Sequence, residues 1–122
     1  MRKYSTYFCD IDGTIFKYRK FETYKNSAPV ITPGALSKLS EIKDSGHMIV
    51  LTTARPESLR DHTIEELRLS GVPYDSLIMG IERGPRHLIN DMDPAKPGKR
   101  AISWNLKRDE GMESVYVDVV DT

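Results

Sequence analysis

The sequence predicts an α/β domain, a three-layer sandwich in which a mostly parallel central sheet is flanked by helices. Three observations carry that prediction. Short runs of strand formers alternate with amphipathic helical stretches along the chain. One run, "HMIVLTT" at 47–53, is continuously apolar, as a strand covered on both faces requires. The apolar runs also end in oxygen-bearing side chains, at Asp10, at Thr52-Thr53 and at Asn90-Asp91.

In chain order, residues 4–9 supply Tyr, Thr, Tyr, Phe and Cys, good strand formers that stop at Asp10. A helix follows from Thr32, with Thr32 as N-cap, Pro33 at the first helical position, Leu36, Leu39 and Ile42 as the apolar stripe, and Gly46 as the stop. The run at 47–53 is the second strand. Pro56 opens a second helix, with Leu59, Ile64, Leu67 and Leu69 as its stripe and Gly71 past its end. Val72-Pro73-Tyr74-Asp75 reads as a turn. Two short strands come next, "LIM" running to Gly80 and "HLI" running to Asn90-Asp91. "PAKPGKR" reads as an exposed loop, "AISWNL" as a last strand, and "VYVDVV" as an apolar tail without an assigned place. Strands that alternate with helices pair in parallel through right-handed crossovers, which gives a Rossmann-like arrangement.

At 122 residues the chain reads as one domain, 1–122, large enough for a single core. Its 39% hydrophobic and 30% charged residues describe a soluble globular protein. Lys plus Arg and Asp plus Glu number 18 each, so net charge offers no case for nucleic acid or anionic membrane as the main partner. No window reaches the roughly 18 apolar residues of a membrane span. The single Cys excludes an internal disulfide and fits a reducing compartment, so a cytoplasmic location is expected.

Function follows from the strand ends. In open α/β sheets ligands bind beyond the carboxyl ends of the strands. A parallel sheet would bring Asp10 and Asp12, Thr52 and Thr53, and Asn90, Asp91 and Asp93 to one edge. Converging carboxylates repel, and each unit of pKa displacement costs about 1.4 kcal/mol. A bound cation offsets that penalty. Aspartate oxygens with a backbone carbonyl and waters suit Mg²⁺, and no His or Cys spacing suits zinc. An Asp beside Mg²⁺ and hydroxyl donors is also suited to phosphoryl transfer through an aspartyl-phosphate.

The stretch "DIDGT" at 10–14 resembles the first motif of the haloacid dehalogenase superfamily of Mg²⁺-dependent phosphatases, Asp-x-Asp-Gly-Thr after the first strand. At roughly 5 to 7% usage per residue type, chance would give it in about one in a thousand chains of this length. "IVLTTARP" resembles the second motif and "HLINDMD" the acidic fourth, so the likeness covers roughly residues 4–95. It implies Asp10 as nucleophile and Mg²⁺ ligand, and Asp12 as general acid–base and carbonyl ligand. Gly13 and Thr14 would shape the turn. Thr53, more than Thr52, would hold a phosphate oxygen, with Arg55 next to it within reach of substrate. Asp91 would be a further Mg²⁺ ligand, supported by Asn90 and Asp93.

The third motif is a departure. Relatives place a Lys there, whereas residues 72–90 contain none; Arg83 and Arg86 are the available cations, with Lys96 and Lys99 further out. The gaps between motifs are also too short for a cap domain. The segment 15–32 is enough for a small flap, and a homo-oligomer could cover the otherwise open site. That flap, "FKYRKFETYK", interleaves Phe16, Tyr18, Phe21 and Tyr24 with Lys17, Arg19, Lys20 and Lys25. Such a pattern can contact nucleic acid; the simpler expectation is a β-hairpin with an aromatic face inward and a basic face in water. Cys9 is expected to be strand packing, Trp104 to pack in the core or at an edge, and His47, His62 and His87 to lie at the surface.

The resemblance therefore implies a small-molecule phosphatase acting through phospho-Asp10, with sugar phosphates as one substrate class. Two alternatives stand beside it: a phosphatase on a nucleic-acid end or phosphoprotein, and a non-catalytic Mg²⁺-binding phosphoacceptor domain of the response-regulator type.

Overall fold

The computed structural model describes residues 3–120, the side chains of residues 21 and 22 excepted, so the expected inward ring of Phe21 lies outside the described residues. Three strands make one parallel sheet in the order β1-β2-β3: β1 Thr6–Asp10, β2 Met48–Thr52 and β3 Ser76–Ile78. Helix α1, Ala35–Asp44, connects β1 to β2, and α2, Arg60–Ser70, connects β2 to β3.

This order explains which face is buried. A sheet that grows in one direction through right-handed crossovers receives both helices on the same face. Tyr7 and Cys9 pair with Ile49 and Leu51, and this row meets Leu39 and Ile42 of α1 and Leu67 of α2 in one core. Burying side chains of this size contributes about 1.5–3 kcal/mol each. On the opposite face Phe8, Met48 and Ile78 are half exposed, while Val50 beside Phe8 is buried. The expected α/β architecture with a parallel sheet is thus present, with both helices on one face of the sheet and no separate cap domain among the described residues.

Residues 79–120 form no further strand or helix. The expected strands "HLI" and "AISWNL" are instead extended chain, and Leu88 and Ile89 stand exposed. Short or interrupted apolar runs do not encode a partner edge, and here neither run docks on β1. The C-terminal tail does have a place. Met112 and Val115 are buried in the core, and Tyr7 is bracketed by the tail: its hydroxyl donates to the Tyr116 carbonyl at 3.2 Å and accepts the Asp118 N–H at 2.8 Å.

Several local expectations shift. Helix α1 starts at Ala35 after Gly34, whose φ of 72° suits glycine, while Thr32 turns its hydroxyl onto the Thr14 carbonyl. In α2, Leu67 is buried, whereas Ile64 and Leu69 face outward. The flap is not a hairpin: Phe16 bridges Asp12 and Ile31, and Phe21–Asn26 winds as a 3₁₀ helix. His47 is fully buried, because its two ring nitrogens meet the Ser5 N–H at 3.0 Å and the Asp118 carbonyl at 2.8 Å. Trp104 is partly exposed and packs edge-on against Tyr116 rather than entering the core.

Candidate active site

Parallel register aligns the strand ends. Asp10 is the register partner of Thr52, and Thr52 of Ile78, so the chain leaves all three strands on one edge. Just past β1 the backbone turns tightly, with the N–H groups of Thr14, Ile15 and Phe16 converging on the Ile11 carbonyl at 3.2, 2.9 and 3.1 Å. Gly13 makes that turn possible with a φ of 90°. The turn leaves Asp10 and Asp12 facing a cleft of about 210 Å³, which Thr53, Ala54, Arg55, Arg83 and Arg86 also line, together with Tyr18, Tyr24 and Arg108.

The two aspartates differ in environment. Asp10 is about a third exposed and loosely held, 3.5 Å from the Thr14 hydroxyl and 3.4 Å from an Arg86 nitrogen. Burial pushes its carboxyl above the ordinary carboxylate range, with the Arg86 charge opposing and the Asp12 charge assisting. Asp10 is thus the more loosely held of the two carboxylates. Asp12 is fixed by Nε and Nη2 of Arg55, each 2.8 Å from a carboxylate oxygen, and by the Tyr24 hydroxyl at 3.1 Å.

Behind Asp12 lies a buried relay. Arg55, only 2% exposed, also donates to Glu66 at 2.8 Å and to the Thr63 hydroxyl at 3.1 Å, and its guanidinium stacks 4.1 Å from the Tyr24 ring centroid. Glu66 in turn receives two hydrogen bonds from Arg19, at 2.8 and 2.9 Å. Burial would strip Arg55 of its charge, but the Asp12 and Glu66 carboxylates outweigh it and hold the guanidinium firmly protonated. The same aspartate and burial push the Tyr24 hydroxyl up to about 12, burial being the larger cause, so it stays a donor at neutral pH. The flap thus seats Tyr24 and Arg19 on the site.

Of the residues expected from the sequence, the structure brings Asp10, Asp12, Thr53, Arg55, Arg83 and Arg86 into one cleft, with Gly13 and Thr14 in the turn below. Arg55 is not open to a ligand, because its nitrogens are spent on Asp12, Glu66 and Thr63. The Thr53 N–H bonds the Ile78 carbonyl at 3.0 Å, and its hydroxyl accepts the Arg55 N–H at 3.0 Å. The Ala54 N–H has no acceptor among the described residues and is the backbone donor the loop offers. Thr52 stays in β2 and does not line the cleft.

The acidic stretch is a different case. Asp91 is about four-fifths exposed and lies 3.9 Å from Arg100; Asn90 is exposed, and Asp93 accepts the Ala95 N–H at 2.9 Å in a local turn. No group of three or more His, Cys, Asp or Glu side chains that could hold a metal occurs among the described residues. The chain places Asp10, a hard oxygen donor suited to Mg²⁺, in the cleft, but it does not gather Asp91 beside it. The expected three-aspartate set is not assembled because the strand that would carry Asp91 to the edge is not formed. Lys96 and Lys99 are likewise exposed and away from the cleft lining.

Sequence reasoning missed the clamp role of Arg55 and the presence of Arg108. The first was signalled only by Glu66 and Arg19 elsewhere in the chain. For the second there was no local signal, since Arg108 reaches the cleft through tertiary contacts.

A parallel sheet ending in an Asp-x-Asp-Gly-Thr turn over a cationic cleft defines a hydrolase of the Rossmann-like α/β class. The chain belongs to the haloacid dehalogenase-like hydrolases, whose family model matches residues 7–79. Solved structures share the fold. A chain of the Pnkp1/Rnl/Hen1 complex is 19% identical with a TM-score of 0.56, over 71% of this chain and 32% of that one. A chain of the Pnkp1/Rnl/Hen1 RNA repair complex gives 21% and 0.55, over 67% and 27%. A Vibrio cholerae protein gives 20% and 0.52, over 75% and 85%. This chain therefore spans about a third or less of the two chains from those complexes. No curated protein sequence matches it. No helix among the described residues is long and apolar enough to cross a membrane.

Proposed function

We propose that the chain is a Mg²⁺-dependent phosphatase that hydrolyses a small phosphorylated metabolite through an aspartyl-phosphate on Asp10. The observation that carries this reading is the contrast between the two aspartates: one loosely held and open to the cleft beside Arg86, the other gripped two residues on.

In the first step an Asp10 oxygen attacks phosphorus and the bond from phosphorus to the ester oxygen breaks. The leaving oxygen takes a proton from Asp12. In the second step water attacks the acyl phosphate, Asp12 takes the water proton, and phosphate leaves with Asp10 restored. For Asp12 to carry a proton between steps, the Arg55 fork must release one of its two oxygens. Arg86 and the Ala54 N–H are the donors available to the phosphate oxygens. Mg²⁺ would supply charge compensation for the phosphoryl group, with Asp10 and the Asp12 carbonyl as its ligands; Asp91 would have to join them to close the set.

The second reading, a phosphatase on a nucleic-acid end or phosphoprotein, is favoured by one feature: Arg83, Arg86 and Arg108 stand exposed at the mouth, which admits a large molecule. A panel of sugar phosphates, nucleotides, 5′-phosphorylated oligonucleotides and phosphopeptides, assayed with Mg²⁺, tests both. Turnover confined to small esters supports the metabolite reading, and turnover confined to polymers reverses it. The Asp12→Asn variant should lose turnover by at least about a hundredfold; hydrolysis at the wild-type rate would remove the acid–base role.

A further inference from the structure

The cleft holds more cationic groups than the attack on one phosphate uses. Arg55 is spent on carboxylates and Arg86 reaches Asp10, but Arg83 and Arg108 have no carboxylate partner among the described residues. Like charges brought to one concave surface repel, and an anionic ligand relieves that repulsion.

Arg108 is held there by a built arrangement. The Asp109 N–H next to it donates to the Gly13 carbonyl at 2.8 Å, and the Asp109 carboxylate accepts the Tyr18 N–H at 2.6 Å. Asp109 is the one non-glycine residue with positive φ, 65°, among the described residues, a conformation that costs free energy and that these two bonds over-determine. The Arg108 guanidinium then lies 4.1 Å from the Tyr18 ring centroid, and its stem passes so close to Gly13 that a Cβ there would sit 3.2 Å from Arg108 Cγ. The C-terminal segment, the flap and the nucleophile turn are joined at this point. Packing on Gly13 needs only the stem; a guanidinium stacked on an aromatic ring at the edge of the cleft keeps its N–H groups free for an anion.

We propose that Arg108, positioned by Tyr18 and Asp109, is a specificity-determining residue that binds a second anionic group of the substrate, so that the substrate class is a phosphate ester carrying another phosphate or a carboxylate. The proposal rests on the phosphatase reading: Asp10 and Arg86 engage the phosphate that is cleaved, and Arg108 engages the other anion.

The test compares wild type with Arg108→Met, which keeps the stem, and Arg108→Lys, which keeps the charge. Substrates are a sugar bisphosphate, 3-phosphoglycerate as the carboxylate arm, and an aryl monophosphate. Wild type should prefer at least one dianionic arm over the aryl ester by tenfold or more in kcat/KM. Arg108→Met should cut that ratio about tenfold, mainly through KM, with Arg108→Lys in between. A ratio unchanged in Arg108→Met, or a wild type that turns over the aryl ester as well as both dianionic arms, overturns the proposal. Calorimetric binding of methylenediphosphonate against inorganic phosphate separates the two readings. A wild-type chain that hydrolyses nothing, yet binds the diphosphonate tenfold more tightly and loses that margin in Arg108→Met, supports the anion site and removes the phosphatase reading instead.

Discussion

Arg55 grips Asp12 through two nitrogens, each 2.8 Å from a different carboxylate oxygen, and turns its third nitrogen onto Glu66 at the same distance. One buried guanidinium thereby ties the turn after β1 to helix α2. Removing it leaves Asp12 without its cation and Glu66 with Arg19 alone. Arg55→Met is expected to destabilise the fold by about 3–5 kcal/mol in urea unfolding, since breaking a buried pair costs far more than the pair contributes. A loss of about 1 kcal/mol or less would put this contact in the class of exposed ion pairs.

Glu66 sets an acid limit on the same relay. Burial works against its charge, but hydrogen bonds and charge from Arg19 and Arg55 outweigh burial and hold its carboxyl below the usual value of 4.5; His62 faces it at 3.3 Å. A folded-state pKa below the unfolded one gives stability that is full above the unfolded value and is lost as pH falls through the folded value. The stability gap between wild type and Glu66→Gln should therefore be constant above about pH 5.5 and narrow progressively below pH 4.5. Urea unfolding at pH 7, 5, 4 and 3 measures it. A gap that widens on acidification would contradict the sign.

Asp91 offers a direct check on the metal. If the segment 87–93 folds onto the site when Mg²⁺ binds, Asp91→Asn should raise the Mg²⁺ concentration needed for half-maximal turnover by about tenfold or more. A Mg²⁺ titration of wild type and variant reads it. Identical curves would leave Asp91 where the structure has it, beside Arg100 and outside the chemistry.

What the sequence made legible and what it did not divide along one line: whether the information is local. The "IVLTT" strand was readable because its apolar residues stop at a polar pair, and the end of α2 because Gly71, with a φ of 74°, is where a helix must stop. Asp10 and Thr53 were readable because a parallel register puts strand ends together whatever lies between them. Long-range partnerships were not. His47 looks like a surface residue until Ser5 and Asp118, far away in sequence, take up its two nitrogens. "HLI" looks like a strand, but two apolar residues cannot state which edge receives them. The exposure of single strand residues has the same origin: "MIVL" is apolar throughout, yet on one face Met48 is half exposed and Val50 is buried. Arg108 carries no motif at all and is found only through its contacts with Gly13 and Tyr18.

Cys9 is expected to be chemically silent despite its place beside Asp10. Burial, assisted by the Asp10 charge, pushes its thiol up to about 12. Its reaction with an aromatic disulfide reagent at pH 8 should be at least a hundredfold slower than in the urea-unfolded chain, because the thiolate is the reactive form. Comparable rates would show the strand end to be open.

The most direct measurement of the central claim is hydrolysis of a phosphorylated substrate by wild type and by Asp10→Asn in the presence of Mg²⁺, with mass analysis of acid-quenched protein. An aspartyl-phosphate on Asp10 predicts Mg²⁺-dependent turnover, a phosphate adduct on the peptide that carries Asp10, and a loss of at least about a thousandfold in Asp10→Asn. Equal turnover by the two proteins, or an adduct on any other residue, would contradict it.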